Sequence, residues 1–196
     1  MSKIYETKNL INSLVKVMHT VGEIAGFDDP SDAANGVKVE IAMFLMYLSA
    51  SDGEIKWEEA STISELCDLN LTPQSLSDFI RENNIYSTEF ENKVPISLKL
   101  LVTVDNQIVE NNMENEVDAG YDTLINAYYE IAKVFMASDD DVDINEKNDC
   151  NIYLDMMRNY VKQNSIRGKK SVSGFVKNTG GVSAPTKSGV SAPKKG

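Results

Sequence analysis

Histidine is almost missing from this chain: His19 is the only one in 196 residues. A histidine-rich zinc site and a paired-histidine relay are therefore excluded. Tryptophan occurs once, as Trp57, and cysteine twice, as Cys67 and Cys150. There is no Cys-x-x-Cys pair, no phosphate-binding glycine loop and no nucleophile elbow. Both cysteines fall in apolar stripes, which reads as buried reduced thiols of a cytoplasmic protein rather than a disulfide. Long hydrophobic runs are lacking too. The most apolar stretch, residues 41–50, is well short of the ~20 residues that span a bilayer. The opening MSKIYETKNL has no basic segment leading into an apolar one, so no secretory signal is expected.

Acid is absent from one end. From Ser165 onward come Arg167, Lys169, Lys170, Lys177, Lys187, Lys194 and Lys195, and no aspartate or glutamate. The chain carries −11 overall, so residues 1–164 carry −18. Such a body repels nucleic acid and anionic membrane, whereas the basic end attracts either. With 42% hydrophobic residues, the body has enough apolar material for one core.

The pattern is helical almost throughout. Leu10, Leu14, Val17, Val21 and Ile24 recur at three- and four-residue spacing, the period of one helix face. DDPSDAANG is turn chemistry and predicts a break. Further helices are predicted at about 37–51, 57–69, 73–82, 95–111, 117–138 and 145–162. Thr72-Pro73 is a start signal, a hydroxyl cap followed by proline where no N–H is needed. No alternating strand pattern with hairpin turns occurs, so the fold class is all-α.

A repeat lies within this string. Placing Asp52 on Asp139, 87 residues on, lays ASDGEIKWEE (50–59) over ASDDDVDINE (137–146). Val37, Ile41, Phe44, Leu45 and Leu48 then fall on Leu124, Tyr128, Ile131, Ala132 and Phe135. Ile63, Leu66 and Cys67 fall on Cys150, Tyr153 and Leu154. The expected body, residues 1–164, thus holds two helix–acidic loop–helix units, at about 37–69 and 124–161. Each has an apolar face that it hides by packing on the other. Trp57 falls on Ile144, which suggests a core position for both.

The loops look like the second half of a calcium loop. With Asp52 at position 5 of an EF-hand, however, positions 1 and 3 are Leu48 and Ala50, and their counterparts are Phe135 and Ala137. These loops are therefore not EF-hands. In the first loop two explanations stand side by side. Asp52 and Gly53 end one helix and Glu58 and Glu59 open the next, which needs no metal; alternatively the acids are cation ligands. The second loop places Asp139, Asp140, Asp141 and Asp143 within five positions, more charge than a cap requires. A hard divalent cation, calcium before magnesium, would relieve that repulsion. A solvated acidic loop is the competing account.

A helix ending in ASDGEI, an acidic residue on the next helix, and a second copy of both resemble the TerB-like family. These are small acidic proteins of bacterial tellurite-resistance, stress and phage-defence gene clusters. The resemblance covers about residues 37–161 and implies an all-α fold of two similar halves with acidic residues that bind a divalent metal. On this chain it points to Asp52, Glu54 and Glu59 in the first loop, and to Asp139, Asp141 and Glu146 in the second. Asp140 departs from the pattern, standing where the first loop has Gly53. The resemblance implies an adaptor with a protein partner rather than an enzyme.

The residues themselves leave two functions open: a cation-responsive helical adaptor and a metal-independent interaction module. A carboxylate hydrolase is the weaker third, because the aromatic residues that would hold a sugar are not gathered around the acids. Met43, Met46, Met156 and Met157 read as core or interface filler. The end, residues 165–196, repeats GVSAPTK as GVSAPKK and is rich in Gly, Ser, Pro and Lys. Residues 168–196 are expected to lack regular secondary structure and to touch the body little, as a flexible solubilising or linking segment. The other openings are a tether to an acidic partner, or to the protein's own acidic body through Val172, Phe175 and Val176.

Overall fold

The structure, a computed structural model, describes residues 3–113, 120–138, 143–167 and 169. Eight helices occur among them: α1 (Lys3–Ala25), α2 (Ser31–Ser49), α3 (Trp57–Cys67), α4 (Pro73–Glu82), α5 (Thr88–Glu91), α6 (Ile96–Glu110), α7 (Tyr121–Met136) and α8 (Ile144–Asn164). The described residues contain no strand, and the fold is all-α. None of these helices is long and apolar enough to cross a membrane.

Helix α2 is the axis. Residues 41–49 are all buried except Met43, which is partly so. A helix apolar on every side is stable only when other helices enclose it. Accordingly α1, α3, α4, α6, α7 and α8 all pack on α2. The approach of α1 depends on Gly22. A Cβ there would lie 3.1 Å from the Pro30 backbone and 3.2 Å from the Ala33 side chain, so only glycine fits without a shift. Asp68, in the left-handed conformation at the end of α3, binds Lys8 of α1 and Lys38 of α2 and ties the three helices at the surface. Those two ammonium groups hold its carboxyl down at about 2.

Local chemistry sets the helix ends. Thr72 accepts from Ser75 N at 3.2 Å and Pro73 takes the first helical position, as the sequence predicts. The break before α2 is shorter than predicted. Only residues 26–30 turn, with Gly26 at φ 76° and Asp29 accepting from Ser31 N at 2.8 Å. Residues 33–36 are already helical, because Ala33 and Ala34 pack inward and outweigh the turn preference of Asn35-Gly36. Helix α1 presents a rotated face. Ile11, Leu14, Met18 and Val21 are buried, whereas Val17 and Ile24 are exposed. Met18 takes the inward place that the sequence pattern gave to Val17.

The sixteen helix-stripe positions paired at the 87-residue offset, eight in each unit, are all buried. The last residues of α2 and α7, Ser49 and Met136, are 87 apart, and so are the first residues of α3 and α8, Trp57 and Ile144. Trp57 and Ile144 are not core residues, however. They are 65% and 64% exposed. Each is the first residue of its helix. Cys67 and Cys150 are free and buried, and burial pushes each thiol up to about 11.

The packed body runs past residue 164. Ser165 is fully buried, and its hydroxyl lies 3.4 Å from the Tyr121 hydroxyl. Asn106 accepts from Ile166 N at 2.8 Å and donates to Asn164 O at 2.9 Å. Arg167 Nε lies 2.9 Å from Asp105, which is fully buried in α6. The rest of the basic segment, residues 170–196, lies outside the described residues, as does the expectation made for it.

A charge buried in this way is costly once its partner is removed. Arg167→Ala is expected to lower stability by about 3 kcal/mol, a fall of roughly 10 °C in Tm for a domain of this size. A thermal melt of the two proteins measures it. A loss under about 1 kcal/mol, the level of a surface pair, would mean that other groups hold Asp105.

Candidate functional site

The first acidic loop spans residues 50–56. Ser51 Oγ donates to Leu48 O at 2.7 Å, and Asp52 accepts from Glu54 N at 2.9 Å, so the aspartate side chain shapes its own turn. Gly53 follows at φ 81°, the left-handed geometry that glycine adopts at least cost. Glu59 then folds back from the third position of α3 and accepts from Lys56 N at 2.7 Å. This is half of a capping box; lysine at the N-cap has no acceptor with which to return the bond. Glu59 is only 4% exposed. The first loop thus uses Asp52 and Glu59 as turn and cap groups, the metal-free account left open above.

The second loop matches it at its far end. Asp143 caps α8 by accepting from Asn145 N, and Glu146, at the third helical position as Glu59 is, is 6% exposed. Asp139 and Asp141 lie outside the described residues. Among the described residues, no three histidine, cysteine or acidic side chains converge on a common point that could hold a metal ion. The structure therefore does not bring Asp52, Glu54, Glu59 and Glu146 together as a ligand set. His19 is half exposed on α1, 3.7 Å from Glu23.

A different titratable cluster was missed from the sequence. Tyr47 of α2 is fully buried, yet its hydroxyl reaches Glu91 of α5 at 3.2 Å. Tyr86, between α4 and α5, turns its hydroxyl to the half-buried Asp149 of α8. The rings of Tyr47 and Tyr86 are 5.6 Å apart, and Phe90 and Tyr153 lie 5.4 and 6.1 Å from Tyr47. Burial first, then the Asp149 and Glu91 charges, raise the Tyr47 hydroxyl well above its ordinary value. Burial raises the Asp149 carboxyl, the Glu91 charge adds to this, and the Tyr86 hydroxyl draws it part of the way back. No local pattern announces this cluster. Its members come from four segments, and α5, which carries Glu91, was not predicted.

Tyr86 also lines an open cleft of about 600 Å³ between the first loop and α4. Gly53 and Ile55 form one wall, and Pro73, Gln74 and Arg81 form the other. Chemically, the region offers hydroxyl donors, carboxylate acceptors and apolar ring faces. Among the described residues it holds no histidine or accessible thiol for nucleophilic work.

The raised Asp149 carboxyl carries a consequence for pH. A carboxyl whose folded pKa lies above its unfolded value costs stability as pH rises through that interval. Asp149→Asn removes the cost and keeps an acceptor for Tyr86. The variant is expected to melt above the parent at pH 7, with the gain vanishing below about pH 4. A gain that persists at pH 3, or a loss at pH 7, would contradict this account of the cluster.

No protein-family model, no curated protein and no solved structure matches this chain.

Proposed function

We propose that this protein is a non-enzymatic helical interaction module that meets a protein partner at the ends of its acidic loops. The observation that carries this reading is Trp57. The only tryptophan in the chain stands 65% exposed where the first loop enters α3. Ile144 stands equally exposed where the second loop enters α8. Exposed tryptophan is costly to hydrate, and it is among the residues most enriched at binding hot spots. Acidic neighbours, Glu54 and Glu58 beside Trp57 and Asp143 beside Ile144, suit a basic partner surface. The coincident helix ends and sixteen buried positions support a body built of two copies of one unit. The TerB-like resemblance agrees with this reading, under which such a module would serve a bacterial stress-response or phage-defence assembly.

A second reading, that a divalent cation tunes this surface, is favoured by the caps. Asp143 already supplies the one carboxylate that α8 needs. Asp139, Asp140 and Asp141 are therefore surplus to capping, and a concentration of acid beyond that need suits calcium or magnesium. Glu59 has a capping role and Asp52 a turn role, so the cation reading narrows to the second loop.

Two measurements test these readings. Trp57→Ala is expected to keep the parent Tm and to abolish capture of the partner that the parent retains from its native extract. A captured set that is the same for both proteins would remove the anchor. Thermal melts with millimolar calcium, magnesium or chelator test the cation. Binding to the folded state at a hundredfold excess over Kd adds about 2.7 kcal/mol, and Asp139→Asn/Asp141→Asn is expected to erase the gain. Equal melts in calcium and chelator, with no calorimetric heat of binding, would leave the module independent of metal.

A further inference from the structure

Two depressions adjoin on the surface of the bundle. One is an apolar hole of about 290 Å³ between α2, α5, α6 and α8. Val39, Phe90, Ile96 and Tyr153 stand in its walls, and Val39 and Ile96 are largely exposed. Its volume falls below the ~300–1,000 Å³ of small-molecule sites and suits one or two side chains. The other depression is an open trough beside α8. Ile152 and Met156, one turn apart on that helix, lie in it, and Ile152 is half exposed. Val94 lines both depressions, so a hole and an exposed apolar ridge stand side by side.

We infer that this face joins two copies of the chain about a two-fold axis near Val94, with Ile152 and Met156 of each copy entering the hole of the other. Three observations carry the inference. The first is exposure. Val39, Ile96 and Ile152 form one apolar patch around a hole, rather than the single scattered residues that an ordinary surface carries. The second is shape. Ridge and hole belong to the same chain, so a two-fold axis sets each upon the other and closes the contact at two copies. The third is charge. Glu40 at the hole is already engaged, accepting from Ile96 N, Ser97 N and Ser97 Oγ, so the hole presents Lys93 among the described residues. The trough presents Glu91 and Asp155. The same axis therefore lays Lys93 of each copy against Asp155 of the other. Arg158 lies 2.9 Å from Asp155, but so exposed a pair is weak and yields to a cation held in a drier contact. A foreign basic segment would suit the trough and oppose Lys93, and an acidic one would do the reverse. A second copy suits both ends.

The consequence is a particle with two sets of loop ends. Trp57 lines neither depression, so pairing leaves it free and presents it twice. A partner with two basic sites then gains avidity that one chain does not give. The charge of −11 on each copy opposes their approach. At physiological salt that repulsion is confined to about 8 Å, whereas apolar burial is not screened.

Sedimentation equilibrium of the full chain at physiological salt tests this. The weight-average mass is expected to rise with concentration toward twice that of one chain. Ile152→Lys and Val39→Lys alter residues that the single chain exposes, so each is expected to keep the parent Tm. Each is expected to weaken association about tenfold or more, because an unpaired charge enters the contact. Lys93→Glu and Asp155→Lys are each expected to weaken it about threefold, and the two together to restore it, since the exchanged charges again oppose each other. Trp57→Ala is expected to leave association unchanged. A parent that stays monomeric up to about 1 mM overturns the inference. So does a dimer indifferent to Ile152→Lys and Val39→Lys, or one that the double exchange fails to restore. A dimer lost with Trp57→Ala would assign the contact to the loop ends instead.

Discussion

The second half of α2, residues 41–49, has almost no side that it can show to water, and that constraint orders the rest. Residues 41–49 include Ile41, Phe44, Leu45, Tyr47 and Leu48, all buried. Burying them requires neighbours on every side, so the chain must wrap. Six helices supply the wall. The polar costs of wrapping are met by side chains reaching between helices. Pro95 at the start of α6 has no side-chain group with which to cap that helix. Glu40 of α2 does so instead, accepting from Ile96 N, from Ser97 N at 3.2 Å and from Ser97 Oγ at 2.6 Å. The central helix thus both fills the core and satisfies the end of a helix packed upon it.

From that core a column of rings runs outward. Phe44 stacks on Tyr153 at 4.8 Å and lies 5.2 Å from Tyr128. Tyr153 meets Phe90, and Tyr47 meets Tyr86. The hydroxyls turn the outer end of the column polar, and there Glu91 and Asp149 gather. Ring packing is rigid and tolerates few rearrangements. It therefore holds α5 and α8 in register beside the loop cleft and the apolar hole, joining the two surface features through one block of packed side chains.

Most of the helical plan was legible in the sequence, because apolar spacing reports which face is hidden. The stripes of α2, α3, α7 and α8 were read at the right residues, and Thr72-Pro73 placed the start of α4. What escaped was decided by tertiary contact. Asn35 and Gly36 look like a turn, but the packing of Ala33 and Ala34 carries the helix through them. Trp57 and Ile144 look like core, but at the starts of α3 and α8 both side chains stand exposed. Of the candidate site, the sequence left Asp52 and Glu59 divided between helix-end and ligand roles and named Glu146 through the resemblance alone; in the structure Glu59 accepts from Lys56 N. The Tyr47, Tyr86, Glu91 and Asp149 cluster joins residues up to 102 positions apart, and no spacing rule reaches that far.

The acidity of the body is in part structural. Glu40 caps α6, Glu59 serves α3, Asp143 caps α8, Asp68 clamps α1 to α2 through two lysines, and Asp105 holds Arg167. Each of these carboxylates meets a donor or a cation that the fold requires it to meet. Net charge alone therefore overstates what is left for outside partners. The acid that acts beyond the fold is the fraction without such a task, and in the second loop three consecutive aspartates precede the one that caps. Repulsion among charges spaced so closely is modest in water but grows wherever a partner excludes solvent. Docking a neutral surface there would be penalised, and docking a basic one, or a cation followed by a neutral one, would be rewarded.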